Sequence, residues 1–490
     1  MWNSELGSEP YSDSAVKQTA HIEQSAEETC LEAGPKHTVK LMNAEKMLVD
    51  RFLREAKMHP ADIDLNLMVR RVMDEMTRGL NGESSSLAMI PTHLEVDADV
   101  VEDERVVVLD AGGTNLRAAI IHFDKDGEVQ ISNFLRRPMP GTDGVEVSAG
   151  EFFESLAELI WPLLREEGEK IGFCFSYPLE MHPNKDGRLI RWSKEVQAPE
   201  VVGRMMGTSL KEALREKGLT SSPSLVMLND TAATILTARA LTRKRNWGSY
   251  VGFILGTGTN SCYVESNSAI GKLRGLNPLG SQVINCESGN LDLSCSGRGD
   301  DLLCGETEKP KSYRFEKMLS GRYFGSLVRK TISLAGDAGL ISRPTALAIE
   351  KLESLSTRDA DNYVHNPSDS SNPLAMVIAA SAEEGAMKAR DGVDARCLWH
   401  LVDELLERAA KLSAANLAAA LLKGPSGSGP LLPACIAING TTYYRYYRFA
   451  HRVESHLRPY LCDRNKYYEM LQVDDAPLLG AAVAVLTNAL

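Results

Sequence analysis

Asp110, Gly112, Gly113, Thr114 and Arg117 fall within one short stretch, DAGGTNLR, directly after the apolar run at 106–109. Such a β-branched run reads as a buried strand. Two glycines at a strand end allow a sharp reversal and let main-chain N–H groups come close to a ligand. Thr114 adds a hydroxyl donor and Arg117 a fixed cation. Asp110, at the mouth of the turn, is placed to hold a divalent cation, directly or through water. The parts read as a phosphate-holding hairpin, and equally as an ordinary tight hairpin. No Gly-Lys-Ser/Thr follows, so this is not a Walker A loop. The device recurs: an apolar run at 250–255 meets Gly256-Thr257-Gly258-Thr259-Asn260, then a return strand at 261–265. Two such units suggest two similar halves, facing each other and able to clamp a nucleoside triphosphate. Asn229-Asp230 ends a further apolar run at 225–228. A carboxylate on a strand end can act as a base; on spacing alone, Asp230-Thr231 serves as well as a helix N-cap pair.

These residues need strands beneath them and helices behind them. Residues 118–123 and 128–135, joined by Lys125-Asp126-Gly127, read as a meander. Residues 171–176 form a short apolar strand stopped by Pro178. Apolar spacing predicts helices at 41–58, 63–80, 152–160 and 231–241, with Asn81-Gly82 as a C-cap and Pro162 ending the third. The second half reads as mostly helical, over 315–335, 375–390 and 398–422. A flexible GPSGSG loop at 424–429, a buried strand at 435–439 and a small-residue helix at 480–486 complete the chain. Residues 1–40 read as a disordered or loosely attached tail, and 84–94 as a linker. Strands alternating with helices make this an α/β protein.

The 490 residues suffice for two or three domains, and 43% hydrophobic with 24% charged residues is ordinary globular composition. A formal net charge of −12 speaks against a nucleic-acid or anionic-membrane partner. Nine cysteines without a secretory signal read as reduced thiols of a cytoplasmic protein. No apolar run approaches the ~18 residues of a membrane span. Cys286, Cys295 and Cys304 fit no common zinc spacing and read as structural or surface thiols.

Taken in order, MIPTHL at 89–94, LDAGGTNLR at 109–117, FSYPLEM at 175–181, RWSKEV at 191–196, LNDTAAT at 228–234, FILGTGTNSCYVE at 253–265 and FEKMLSGRYFG at 315–325 resemble the hexokinase family. These are sugar kinases of the actin-like ATPase superfamily, and the likeness runs from about residue 41 to the C-terminus. It implies an α/β, actin-like ATPase (ribonuclease H-like) fold with a small and a large domain around a cleft. Residues 41–100 and 231–470 would form the large domain, 101–230 and 471–490 the small one. It implies transfer of the γ-phosphoryl of ATP to the 6-hydroxyl of a hexose, glucose first, feeding glycolysis. Asp230 would be the general base and Lys194 would help hold the 6-hydroxyl. Ser176, Tyr177, Ser193, Lys194, Asn229, Asp230, Asn260, Glu287 and Glu316 would bind the sugar. Gly112, Gly113, Thr114, Asn115 and Arg117, facing Gly256, Thr257 and Gly258, would hold the phosphates, with Gly440 and Thr441 on the adenine side. Mg2+ would sit near Asp110, mainly through waters. The implied partners are a hexose and ATP, with no nucleic acid and no membrane, for a monomer or homodimer.

The likeness frays in places. Asn285 to Leu291 reads NCESGNL, with Ser288 where the family has a tryptophan. The family's PGQQ appears as Pro310-Lys311-Ser312-Tyr313, without its sugar-contacting glutamine, and WTKGF as WSKEV. Asn439 replaces an aspartate, and Asp475-Ala476-Pro477-Leu478-Leu479 replaces a glycine-rich nucleotide loop. These changes leave open a kinase for N-acetylglucosamine, mannose or fructose, or a non-catalytic sugar sensor. Retention of Asp230 and Lys194 argues against the sensor.

Overall fold

The computed structural model describes residues 36–96, 103–125, 128–165, 169–192, 196–383, 392–424 and 429–489. Ser193 and Lys194 lie outside these residues, as do most of the expected tail, two residues of the 125–127 turn, the end of the 375–390 helix and the middle of the GPSGSG loop.

Two helices come first, α1 (Lys36–Glu55) and α2 (Leu65–Asn81), the second ended by Gly82 at φ 75°. Helix α1 starts inside the expected tail. The expected linker supplies a two-residue strand, β1 (Ile90–Pro91), which pairs with a later strand. Then follow β2 (Glu104–Ala111), β3 (Asn115–Phe123), β4 (Val129–Pro138), α3 (Ala149–Ile160), β5 (Lys170–Phe175), β6 (Leu179–Met181), β7 (Gly187–Leu189), α4 (Met206–Glu216), β8 (Ser224–Leu228) and α5 (Asp230–Leu241). The second half opens with β9 (Ser249–Leu255), β10 (Thr259–Ser266) and β11 (Ser281–Asn285). Its helices include α6 (Arg298–Gly305), α7 (Arg314–Leu319), α8 (Phe324–Asp337), α9 (Arg343–Glu350), α10 (Thr357–His365), α11 (Pro373–Glu383) and α12 (Val393–Lys423). The chain closes with β12 (Ala434–Asn439), α13 (Thr441–Arg445), α14 (Phe449–Cys462), β13 (Tyr468–Gln472) and α15 (Ala476–Asn488).

The helix expected over 315–335 is two helices, α7 and α8. Apolar spacing runs on through the gap, but the N–H groups of Gly321 and Arg322 donate to the carbonyls of Gly256 and Thr257 at 2.8 and 3.0 Å. The helix gives up a turn to hold a loop.

Strand order is β4-β3-β2-β5-β8 in one sheet and β1-β11-β10-β9-β12-β13 in the other. The strands from β4 to β2 and from β11 to β9 are antiparallel meanders; β2-β5-β8 and β9-β12-β13 run parallel. Apart from the added β1, one sheet repeats the other, as the paired glycine-threonine hairpins suggested. The helix after each last parallel strand, α5 or α15, lies in a shared core that takes residues from both sheets. Small residues allow the close approach: a Cβ on Gly480 would lie 2.2 Å from the Ala233 carbonyl oxygen. The outer face of the first sheet packs on α3 and α4, and that of the second on the long α12 and its neighbours.

Candidate active site

Asp110 ends β2 opposite Arg117 of β3 and is buried. Arg117 Nε and Nη2 both donate to Asp110 Oδ2, at 2.7 and 2.6 Å. The intervening loop is closed by the Gly112 N–H on the Asn115 carbonyl at 3.1 Å. Tyr177 Oη braces it from below, donating to the Gly112 carbonyl at 3.0 Å. Burial, then the Asp110 charge, pushes the Tyr177 phenol up and keeps it a donor. Burial likewise raises the Cys174 thiol beside Asp110, so it is inert. Tyr177 stacks edge-on against Trp192 at 4.8 Å, and Trp192 Nε1 donates to the Ala198 carbonyl at 2.8 Å.

Asn229, not Asp230, caps α5: its Oδ1 accepts the Ala232 N–H at 3.1 Å, and its Nδ2 donates to Thr231 Oγ1 at 2.7 Å. Asp230 is the first helical residue, where the helix dipole favours an ionised carboxylate.

The second glycine-threonine loop is tighter than expected, since β10 already starts at Thr259. Besides Gly321, Thr442 Oγ1 donates to the Gly256 carbonyl, at 2.9 Å. Glu316 Oε2 accepts the Thr259 N–H at 3.0 Å, and a Cβ on Gly258 would lie 2.6 Å from that oxygen. Asn260 Oδ1 accepts the N–H groups of Ser261 and Ser288, while its Nδ2 donates to Asn285 Oδ1 at 2.9 Å. Asn285 Nδ2 in turn donates to Glu287 Oε1 at 2.9 Å. Glu287 stands at φ 57°, so a strained turn presents its carboxylate.

One cavity of about 620 Å³ is lined by Gly113, Thr114, Ser176, Tyr177, Asn229, Asp230, Thr257, Gly258, Asn260, Glu287 and Glu316, among others. A second, of about 720 Å³, borders Thr257, Gly321, Arg358, Asp361, Thr441 and Arg445. Thr257 lines both. The structure thus gathers the expected sugar residues, outside 193–194, around one space, and puts Thr441 on another that meets it at the second loop. Asp110, Asn115 and Arg117 lie in the floor and rim of the first loop. Thr142, Arg322 and Tyr323 also line the first cavity without having been singled out, as does Tyr313 from the altered Pro310-Lys311-Ser312-Tyr313 segment. Arg322 and Tyr323 sit within FEKMLSGRYFG, whose helical spacing hid the break that turns them inward.

Among the described residues one other cluster, Asp50, His59 and Glu404, has metal-like geometry. Lys46 Nζ already lies 2.9 and 2.7 Å from the two carboxylates, and His59 Nδ1 accepts the Ala61 N–H, which leaves the proton on Nε2. An ammonium fills the place of a cation there.

Comparison with known proteins gives a consistent result. Two sequence profiles described as hexokinase match residues 49–240 and 250–487. Hexokinase-5 of Oryza sativa subsp. japonica is 30% identical over 414 residues, covering 80% of each chain. Hexokinase-3 of Rattus norvegicus is 28% identical over 432 residues, which are 85% of this chain and 45% of that protein. The chain spans about half the length of the rodent relatives it matches and most of the rice ones. A Schistosoma mansoni hexokinase solved with glucose superposes with a TM-score of 0.73 at 22% identity, over 90% of this chain and 99% of that one. This likeness shows the fold, the two-domain actin-like ATPase arrangement.

Proposed function

The chain belongs to the hexokinase family, and from that premise we propose that it transfers the γ-phosphoryl group of ATP to the 6-hydroxyl of a hexose, glucose first. The observation that carries this reading is Thr257, shared by a cavity containing Asp230 and one containing Thr441. A sugar in the first and a nucleotide in the second would meet at the loop where the terminal phosphate must lie.

Asp230 takes the proton of the 6-hydroxyl as its oxygen bonds to phosphorus, and the bond from phosphorus to the β-bridging oxygen breaks to leave ADP. Lys194 holds the same hydroxyl. Glu287, Glu316, Asn229, Asn260 and Ser176 orient the ring. Gly113 and Thr114 from one loop and Thr257 and Gly258 from the other, which all line the first cavity, would hold the triphosphate through their main-chain N–H groups. Mg2+ supplies neutralisation of the phosphate charge. Asp110 suits it through water rather than directly, because Arg117 already occupies Oδ2 at 2.6 Å. The small domain is residues 101–230 and 471–490, a division supported by the partition of strands between two sheets. The described cysteines are free thiols, in keeping with a reducing cytoplasm, and no described helix is long and apolar enough to cross a membrane.

The test is ADP release, coupled to a reporter, over glucose, mannose, fructose and N-acetylglucosamine. Hexose-dependent turnover with glucose among the best substrates is expected. No turnover with any of them would defeat the assignment.

A further inference from the structure

The peptide between Gly112 and Gly113 is the loosest joint of the first glycine loop. A glycine stands on each side of it, so no Cβ restricts its rotation about the flanking bonds. Its neighbours are tied down: the Gly112 N–H donates to the Asn115 carbonyl at 3.1 Å, and the Thr114 carbonyl accepts the Met139 N–H at 3.0 Å. The peptide itself is held through one atom, the Gly112 carbonyl oxygen, which accepts from Tyr177 Oη at 3.0 Å. Tyr177 is only 2% exposed, and its ring is wedged between Phe175 at 4.9 Å and Trp192 at 4.8 Å, so the hydroxyl is a fixed anchor. Across a trans peptide the N–H points opposite to the C=O. Pinning the Gly112 carbonyl on Tyr177 therefore turns the Gly113 N–H the other way. Gly113 borders the cavity that holds Asp230, and its N–H has no acceptor among the described residues. The resemblance put Tyr177 among the sugar residues, but its hydroxyl is committed to this loop.

We propose that Tyr177 is a positioning residue for phosphoryl transfer: its hydroxyl locks the orientation of the Gly112–Gly113 peptide, so that the Gly113 N–H stays presented to a phosphate of the donor. The proposal rests on the reading of this loop as a phosphate holder. A donor that is already aimed costs no reorganisation when negative charge develops, whereas a peptide free to flip presents its carbonyl oxygen to the phosphate for part of the time. The side chain acts through the loop and needs no contact with the donor.

Tyr177→Phe removes one oxygen and keeps the ring, with its packing on Phe175 and Trp192. Four quantities are read on the full chain: kcat and KM for ATP at saturating hexose, Kd for MgADP by calorimetry, Kd for glucose by intrinsic fluorescence without nucleotide, and the melting temperature. Loss of the anchoring hydrogen bond should lower kcat/KM for ATP about five- to tenfold and weaken MgADP severalfold, while Kd for glucose stays within about twofold. A larger loss for glucose than for the nucleotide would make Tyr177 a sugar contact and overturn the proposal. Equal losses for both, together with a lower melting temperature, would make the hydroxyl merely structural and overturn it too, as would no change in any reading. If the wild type phosphorylates no hexose, the proposed function fails, and the MgADP and glucose arms still decide on Tyr177.

Discussion

Asp230 is relieved of helix capping by the residue before it. Asn229 satisfies the Ala232 N–H, and the aspartate enters α5 as its first residue and lines the cavity. Spacing alone left a base and an N-cap pair both open, and this placement favours the base. Positioned general bases are worth about 10² to 10⁴ in rate. Asp230→Ala should therefore lower kcat by at least that order while hexose binding stays detectable by fluorescence. Near-normal turnover in the variant would remove Asp230 from the base role. The cap survives the change, because it belongs to Asn229, so a large drop in melting temperature is not expected.

At the scale of elements, the second glycine-threonine loop is held from behind by others: the Gly321 N–H and Thr442 hydroxyl on Gly256, the Arg322 N–H on Thr257 and Glu316 on Thr259. Gly440 makes this convergence possible. It joins β12 to α13 at φ 116°, and a Cβ there would lie 2.3 Å from the Leu255 carbonyl oxygen, at the base of the loop. Gly440→Ala meets both a disfavoured backbone region and a rigid neighbour. It should raise KM for ATP about tenfold or more and leave nucleotide-free hexose binding largely intact; unchanged KM for ATP would detach this turn from the nucleotide. The strand-turn-strand units were legible because a β-branched run ending in glycines has few other readings. The break between α7 and α8 was not, because apolar spacing continues through it and only a distant carbonyl pair interrupts the helix. Strand β11 and helix α4 also went unread, the first because its pairing with β10 and β1 is what defines it. Glu287 and Tyr313 lean on turns at positive φ whose residues are not glycine, and nothing local announces that conformation.

At the scale of the molecule, the repeated sheets are joined through two small-residue helices. Helix α15 follows the last strand of the second sheet yet packs on the first: a Cβ on Gly172 of β5 would sit 2.1 Å from the Ala481 carbonyl oxygen. Its other side presses on α5, where a Cβ on Gly480 would lie 2.2 Å from the Ala233 carbonyl oxygen and 2.4 Å from the Ala233 Cα. Helix α5 begins with Asp230, so the crossing that unites the halves also sets where Asp230 stands. Gly480→Ala brings two opposed effects. Alanine favours a helix interior by about 1 kcal/mol over glycine. Overpacking a filled core costs about 1–3 kcal/mol, and here the obstacle is backbone, which cannot rotate away. The second effect wins, and α5 must shift. Gly480→Ala should thus lower the melting temperature and kcat together, whereas Gly305→Ala, with open space around its Cβ, should move neither. A variant that loses stability but keeps full kcat would show that the base is fixed by its own strand, β8, and not by the crossing.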